Sequence, residues 1–160
     1  MTVMSTQQNA EELSFTIVAE FDAKIERVWQ IWADPRQLER WWGPPTWPAT
    51  FESFDFTPGG KASYYMVGPD GEKARGWWLL TSIDAPTTLS FDDGFADDNG
   101  EPVASMGITR AVVTIEDIGG RTRMTTTSKF ESAEQMQKMI DMGMEEGMTE
   151  AMSQIDDLLR

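Results

Sequence analysis

Between Leu13 and Phe21 the chain alternates, with Leu13, Phe15, Ile17, Ala19 and Phe21 on one side and Ser14, Thr16, Val18 and Glu20 on the other. A period of two over nine residues predicts a half-buried β-strand. The period then lengthens. Ile25, Val28, Trp29, Ile31 and Trp32 fall on one broad face, which predicts a short helix after Asp22 and Ala23. Asp34-Pro35-Arg36-Gln37 follows, with a capping side chain, a proline in the first turn and Gln three residues after the cap. A second short helix therefore starts there and reaches about Trp42, where Gly43-Pro44-Pro45 stops it.

From Pro48 to Phe130 turn signals recur between strand-like runs, at Thr57-Pro58-Gly59-Gly60, Gly68-Pro69-Asp70-Gly71, Asp84-Ala85-Pro86, Asn99-Gly100 and Gly119-Gly120. Six further strands in hairpin order are predicted, over 49–56, 61–67, 73–83, 88–92, 104–118 and 121–130. Hairpin order makes the sheet antiparallel. Ser132-Ala133-Glu134-Gln135 is a capping box, and it opens a long helix running nearly to Arg160. The expected fold is α+β: a curved seven-stranded antiparallel sheet around a long C-terminal helix, with two short helices after the first strand. Residues 13–160 form one domain in this reading and residues 1–12 a flexible tail.

Helical phase gives the last helix a direction. At about 100° per residue, Met136, Met139, Ile140, Gly143, Met144, Gly147, Met148, Ala151, Ile155 and Leu158 form one stripe, opposite Glu134, Lys138, Asp141, Glu145, Asp156 and Arg160. Six of the eleven methionines lie between Met136 and Met152, with Met142 on the polar arc and Met152 at its margin. A methionine stripe usually means core, because a flexible thioether fills irregular gaps. Gly143 and Gly147 add a second signal, since each weakens a helix interior by about 1 kcal/mol relative to alanine. Two of them on the buried face point either to close approach of the sheet or to a cavity.

Aromatic residues cluster as well. Five of the seven tryptophans, Trp29, Trp32, Trp41, Trp42 and Trp47, lie in the two-helix segment and the proline-rich loop after it. They either close one end of the core or form the mouth of a small-molecule pocket. In Trp77-Trp78-Leu79-Leu80 both faces of the strand are apolar, so alternation does not say which residues look inward. An exposed apolar face there would favour a homodimer.

Charge and composition then narrow the chemistry. Thirteen Lys and Arg stand against 27 Asp and Glu, a net charge of -14 that repels phosphate backbones and anionic lipids, so nucleic acid is not an expected partner. The chain has no cysteine and no histidine, which removes thiolate chemistry, the commonest metal ligand and the side chain best poised for proton transfer at neutral pH. Met1 to Glu12 show neither a basic start nor an apolar run, so a cytoplasmic protein without membrane insertion is expected. Two apparent motifs fail when counted. In Asp92 to Glu101, counting back from Gly100 puts Phe95 at the first calcium-ligand position and Met106 at the bidentate one, so the segment reads as a solvated hairpin loop. Gly60-Lys61 ends like a phosphate loop, but Ala62 replaces the hydroxyl residue and Asp55 the first glycine. No carboxylate is marked by spacing or apolar setting as a tuned acid or base.

Strand, two short helices, six strands and a long helix, in that order, resemble the helix-grip (SRPBCC, START-like) superfamily, which includes START lipid-transfer domains, birch-pollen-type allergens and aromatic polyketide cyclases. Val28-Trp29, Asp34-Pro35, Leu38, Trp41-Trp42-Gly43-Pro44, Pro58-Gly59-Gly60 and Pro69-Asp70-Gly71 are similar to the branch named for the activator of heat-shock protein 90 ATPase. The resemblance covers residues 13 to 160. It implies a deep cavity between the sheet and the last helix, with Trp32, Trp41, Phe54, Tyr64, Met66, Trp78, Met106, Met139, Gly143, Met144 and Met148 as the expected ligand-binding residues. The sequence departs from the family pattern at Lys24, where relatives usually have proline, and at Met148, where a tryptophan often follows the glycine.

The leading expectation is a binding protein for a hydrophobic or amphipathic small molecule, with no cofactor and no catalytic residue assigned. The alternatives are a cavity enzyme of cyclase or hydrolase type, using Tyr64, Tyr65, Arg110 or a buried carboxylate, and a chaperone-associated module acting through Trp77 and Trp78. In the family's namesake a separate chaperone-binding domain precedes a domain of this type. With no room for that domain, chaperone binding is not expected here.

Overall fold

The alternation around Phe15 becomes the second strand of an eight-stranded antiparallel sheet in the computed structural model, which describes residues 3–160. Strands β1 (Val3–Asn9), β2 (Ser14–Phe21), β3 (Ala49–Phe54), β4 (Lys61–Val67), β5 (Lys73–Asp84), β6 (Thr88–Ala96), β7 (Ile108–Asp117) and β8 (Thr122–Lys129) lie in the order β1-β2-β8-β7-β6-β5-β4-β3. Every link except β2–β8 joins strands consecutive in sequence. That one closure carries β8 back beside β2 from Ser14↔Lys129 to Phe21↔Thr122. Helices α1 (Ile25–Ala33) and α2 (Pro35–Leu38) fill the β2–β3 connection, and α3 (Ala133–Asp141), α4 (Met144–Ser153) and α5 (Ile155–Leu159) follow β8.

Four expectations about elements change. Residues 3–9, assigned to a flexible tail, form β1 and pair with β2. Side chains from Ser5 to Gln8 are exposed, so no apolar alternation marks the strand; backbone pairing makes it. Met1 and Thr2 lie outside the described residues. Next, β6 runs on to Ala96, so Asp92 and Asp93 belong to a strand rather than a solvated loop. The predicted strand over 104–118 starts at Ile108, after a 3-10 turn at Ala104–Met106.

The fourth change concerns the closing helix, which is not continuous. Ser132 caps α3 as expected, its Oγ accepting from Gln135 N–H at 3.1 Å. The helix then stops at Asp141, because Gly143 adopts φ +86, a left-handed conformation open to glycine at little cost. Gly143 then serves as the N-cap position of α4, its carbonyl accepting from Gly147 N–H at 2.9 Å. The break resets the helical phase. Met152, placed at the polar margin by a continuous helix, is 1% exposed, whereas Met142 is 57% exposed as its phase predicts.

The core occupies the helix-covered face of the sheet. Phe15, Ile17, Ala19 and Phe21 of β2 pack with Val113 and Ile115 of β7, Met124 of β8, Leu89 and Phe91 of β6, and Trp78 and Leu80 of β5. This resolves the ambiguous strand: Trp78 and Leu80 point inward and are fully buried, while Trp77 and Leu79 are half-buried on the outer face. Trp78 therefore presents no surface of its own to a partner. No helix of the described residues is long and apolar enough to cross a membrane.

Candidate functional site

At one end of the inner face the tryptophans fill the space completely. Trp32 packs edge-on to Trp41 with centroids 4.7 Å apart, and Trp78 stacks on Phe91 at 4.0 Å. Trp32 Nε1–H reaches Met124 Sδ at 3.2 Å, and Trp41 Nε1–H donates to Ile31 O at 3.0 Å. Beyond this plug, between β6–β8 and the α3–α4 segments, lies a cavity of about 310 Å³.

Its walls differ in chemistry. On the helix side Met139, Met144, Met148 and Met152 present thioethers and Gly143 and Gly147 present backbone. Met142, exposed and also lining the space, lies with Pro44 at its mouth. A Cβ built on Gly147 would meet nothing within 4 Å, and one on Gly143 only Glu146 Oε2 at 3.8 Å. Close approach of the sheet is thus not the reason for either glycine. The aromatic wall consists of Trp41, Trp42, Tyr64, Phe91 and Phe95.

The sheet wall is polar. Asp93 faces the cavity from β6 and Thr109 lies directly opposite it on β7, with Thr126 and Ser128 beyond on β8. Tyr64 Oη donates to Asp93 Oδ1 at 2.8 Å across the intervening strand β5. Gly76 makes that reach feasible, because a Cβ there would stand 2.4 Å from the Tyr64 ring and hydroxyl. Burial disfavours the charged carboxylate and lifts the Asp93 pKa to about 7, with the Tyr64 hydrogen bond pulling the other way. Burial likewise holds the Tyr64 phenol well above its ordinary value, reinforced by the adjacent Asp93 charge. Tyr64 therefore remains a hydrogen-bond donor. Two hydroxyls in the cavity wall, Thr109 Oγ1 and Thr126 Oγ1, are buried without a hydrogen-bond partner. Trp42 Nε1–H has none either, although it lies close enough to the phenol to oppose the rise in its pKa. Buried polar atoms left unpaired cost free energy unless something in the space satisfies them.

Of the residues expected to bind ligand, Trp41, Tyr64, Met66, Met139, Gly143, Met144 and Met148 line this cavity. Trp32, Phe54, Trp78 and Met106 do not. Trp32 and Trp78 are sealed in the aromatic plug at 0% exposure. Phe54 stacks on Phe56 at 5.5 Å, and Met106 sits in the 3-10 turn, its Sδ 3.5 Å from Lys138 Nζ. Period-two patterning identifies the inner face, but not how far along the strand the space is already filled. Asp93 was missed because the run Asp92-Asp93-Gly94 reads as a turn. Its signal was the alternation Phe91, Asp93, Phe95, which puts one acid between two aromatic residues on one face.

An antiparallel sheet closed by a C-terminal helical segment around a cavity defines the helix-grip class. Residues 22–160 match the family described as Activator of Hsp90 ATPase homolog 1-like protein, and the chain belongs to that family. Its fold is similar to the solution structure of a protein from Arthrobacter aurescens, 66% identical, with TM-score 0.96 over 99% of this chain and 92% of that one. The crystal structure of protein Ms6760 from Mycobacterium smegmatis is 46% identical, with TM-score 0.92 over 99% of this chain and 97% of that one. The AHSA1 protein from Silicibacter pomeroyi shares the fold at 21% identity and TM-score 0.74, over 91% of this chain and 96% of that one. No curated protein matches the sequence.

Proposed function

We propose that the protein binds a small amphipathic molecule in the cavity between β6–β8 and the α3–α4 segments. The observation that carries this reading is the lining itself: thioethers and aromatic rings surround about 310 Å³ of space, while polar atoms without partners collect on one wall. Mostly apolar walls with a few converging polar groups are the common form of a small-molecule site. Methionines let the wall repack around different shapes. Titration with N-phenyl-1-naphthylamine tests the reading, with fluorescence rising on binding and the rise lost in Met148→Trp, which fills the space. A probe that binds wild type and Met148→Trp equally would sink it.

One observation favours a second reading. A carboxyl group titrating near pH 7 beside a phenol, inside a cavity, is equipped for proton transfer, as a cyclase or hydrolase acting there would require. Turnover of a cavity-bound ester or polyketide-like substrate, lost in Asp93→Asn with binding retained, is the result this reading expects. Retained turnover would remove it.

A further inference from the structure

The polar wall of the cavity carries an acid and no base. Among the described lining residues there is no Lys or Arg, and the titratable groups are Asp93 and Tyr64 alone. Every other lining side chain, from β4, β6, β7, β8, the Trp42 loop and both helix segments, is uncharged. A bound carboxylate or phosphate would therefore face Asp93 with no compensating charge, at a cost magnified by the dry surroundings. A cation meets the opposite arrangement. Asp93 Oδ1 already accepts from Tyr64, and Thr109, its cross-strand neighbour, has a free acceptor in Oγ1. Trp42 and Tyr64 rings stand edge to face with centroids 6.1 Å apart beside these groups, and aromatic faces attract an ammonium.

Geometry indicates that this end is built rather than incidental. The phenol reaches Asp93 because β5 has glycine at position 76, where any side chain would occupy the position of the ring. Thr109 is 8% exposed and its hydroxyl is unpartnered, so a buried polar atom faces the same space.

We infer that the ligand is an apolar amine: its protonated nitrogen pairs with Asp93 and is received by Thr109 Oγ1, and its hydrocarbon or aromatic part lies against the methionines. This rests on the small-molecule reading above and narrows it to one charge class. Binding of the ammonium favours ionised Asp93, so at pH below about 7 complex formation releases a proton from the carboxyl.

The test compares n-octylamine, n-octanol and n-octanoate by isothermal titration calorimetry on the full chain at pH 7.5. The amine should bind at least tenfold more tightly than the alcohol, with octanoate weakest. Asp93→Asn should abolish the amine preference, so that amine and alcohol bind the variant alike. Wild type provides an independent readout, since amine affinity should fall as pH is lowered from 7.5 to 5.5 while octanol affinity stays flat. Equal binding of amine and alcohol, an unchanged preference in Asp93→Asn, or a pH-independent amine affinity would each overturn the inference while leaving a binding cavity intact. Failure of all three compounds to bind would overturn it together with the reading on which it rests.

Discussion

The inner face of the sheet meets two coverings, and they solve the same problem differently. Over β5 and β6 the covering is aromatic, with Trp32, Trp41 and Trp78 fully enclosed, Trp32 edge-on to Trp41 and tilted against Trp78. Beside β6–β8 it is the α3–α4 segment, whose thioethers line about 310 Å³ of open space. Both coverings are apolar, yet only one is full. Rings of fixed shape held by hydrogen bonds to Ile31 O and Met124 Sδ set a rigid floor. The broken helix leaves a gap that its methionines can adapt to, and Asp93 with its Tyr64 hydrogen bond borders that gap.

The sharpest way to break this comparison is to delete one side chain from each region. Trp78→Ala should cost about 3–5 kcal/mol in denaturant unfolding, whereas Met148→Ala should cost less than about 2 kcal/mol, because its side chain already borders empty space. Similar losses would mean that the cavity wall is ordinary core.

Asp93 at the border of the gap comes next. Its folded-state pKa is raised from 3.8 to about 7, so the folded protein keeps a proton that the unfolded chain gives up. Stability from this group is present at low pH and is lost as pH rises from about 4 to about 7, with no further loss above. Asp93→Asn should therefore stabilise the protein at pH 8 by roughly 2–4 kcal/mol and leave it nearly unchanged at pH 4, as read by thermal or denaturant unfolding at the two pH values. Equal effects at both would show that Asp93 is not held in a charge-averse setting.

Gly76→Ala should displace the Tyr64 phenol and cost about 1–3 kcal/mol, and the Asp93 titration followed by carboxyl NMR should shift once its hydrogen bond is lost. An unmoved titration would show that the phenol has another route to Asp93.

The smallest effects distinguish the two glycines of the closing segment. Gly143→Ala forces a side chain into a left-handed backbone and should cost about 1–2 kcal/mol. Gly147 lies in regular helix with open space where a Cβ would point, so Gly147→Ala should stabilise by about 0.5–1 kcal/mol while reducing the capacity of the cavity. Matching signs in thermal melts would mean that the helix break is not a feature of the local backbone.

Much of this was legible in the residues. Alternation along β2 and the spacing of turn signals fixed seven strands to within a few residues, because burial on one face imposes a period of two and hairpins need residues that turn. Asp34 and Ser132 announced their caps, and both side chains accept the expected backbone N–H. Strand β1 was invisible because pairing needs only backbone, and the exposed side chains from Ser5 to Gln8 give no apolar alternation to reveal it. Gly143 signals either close approach of the sheet or a cavity within one helix; its positive φ, which ends α3 and starts α4, shows only in the folded backbone.

The sequence alone determined the inner face of β2, the apolar stripe of α3 and the absence of histidine and cysteine, since each follows from residue type and period. Only the tertiary structure decided which inner-face residues close on one another and which border a void. That choice depends on distances between elements remote in the chain. Tyr64 and Asp93 are 29 positions apart, and their meeting across Gly76 is set by the strand order that places β5 between them.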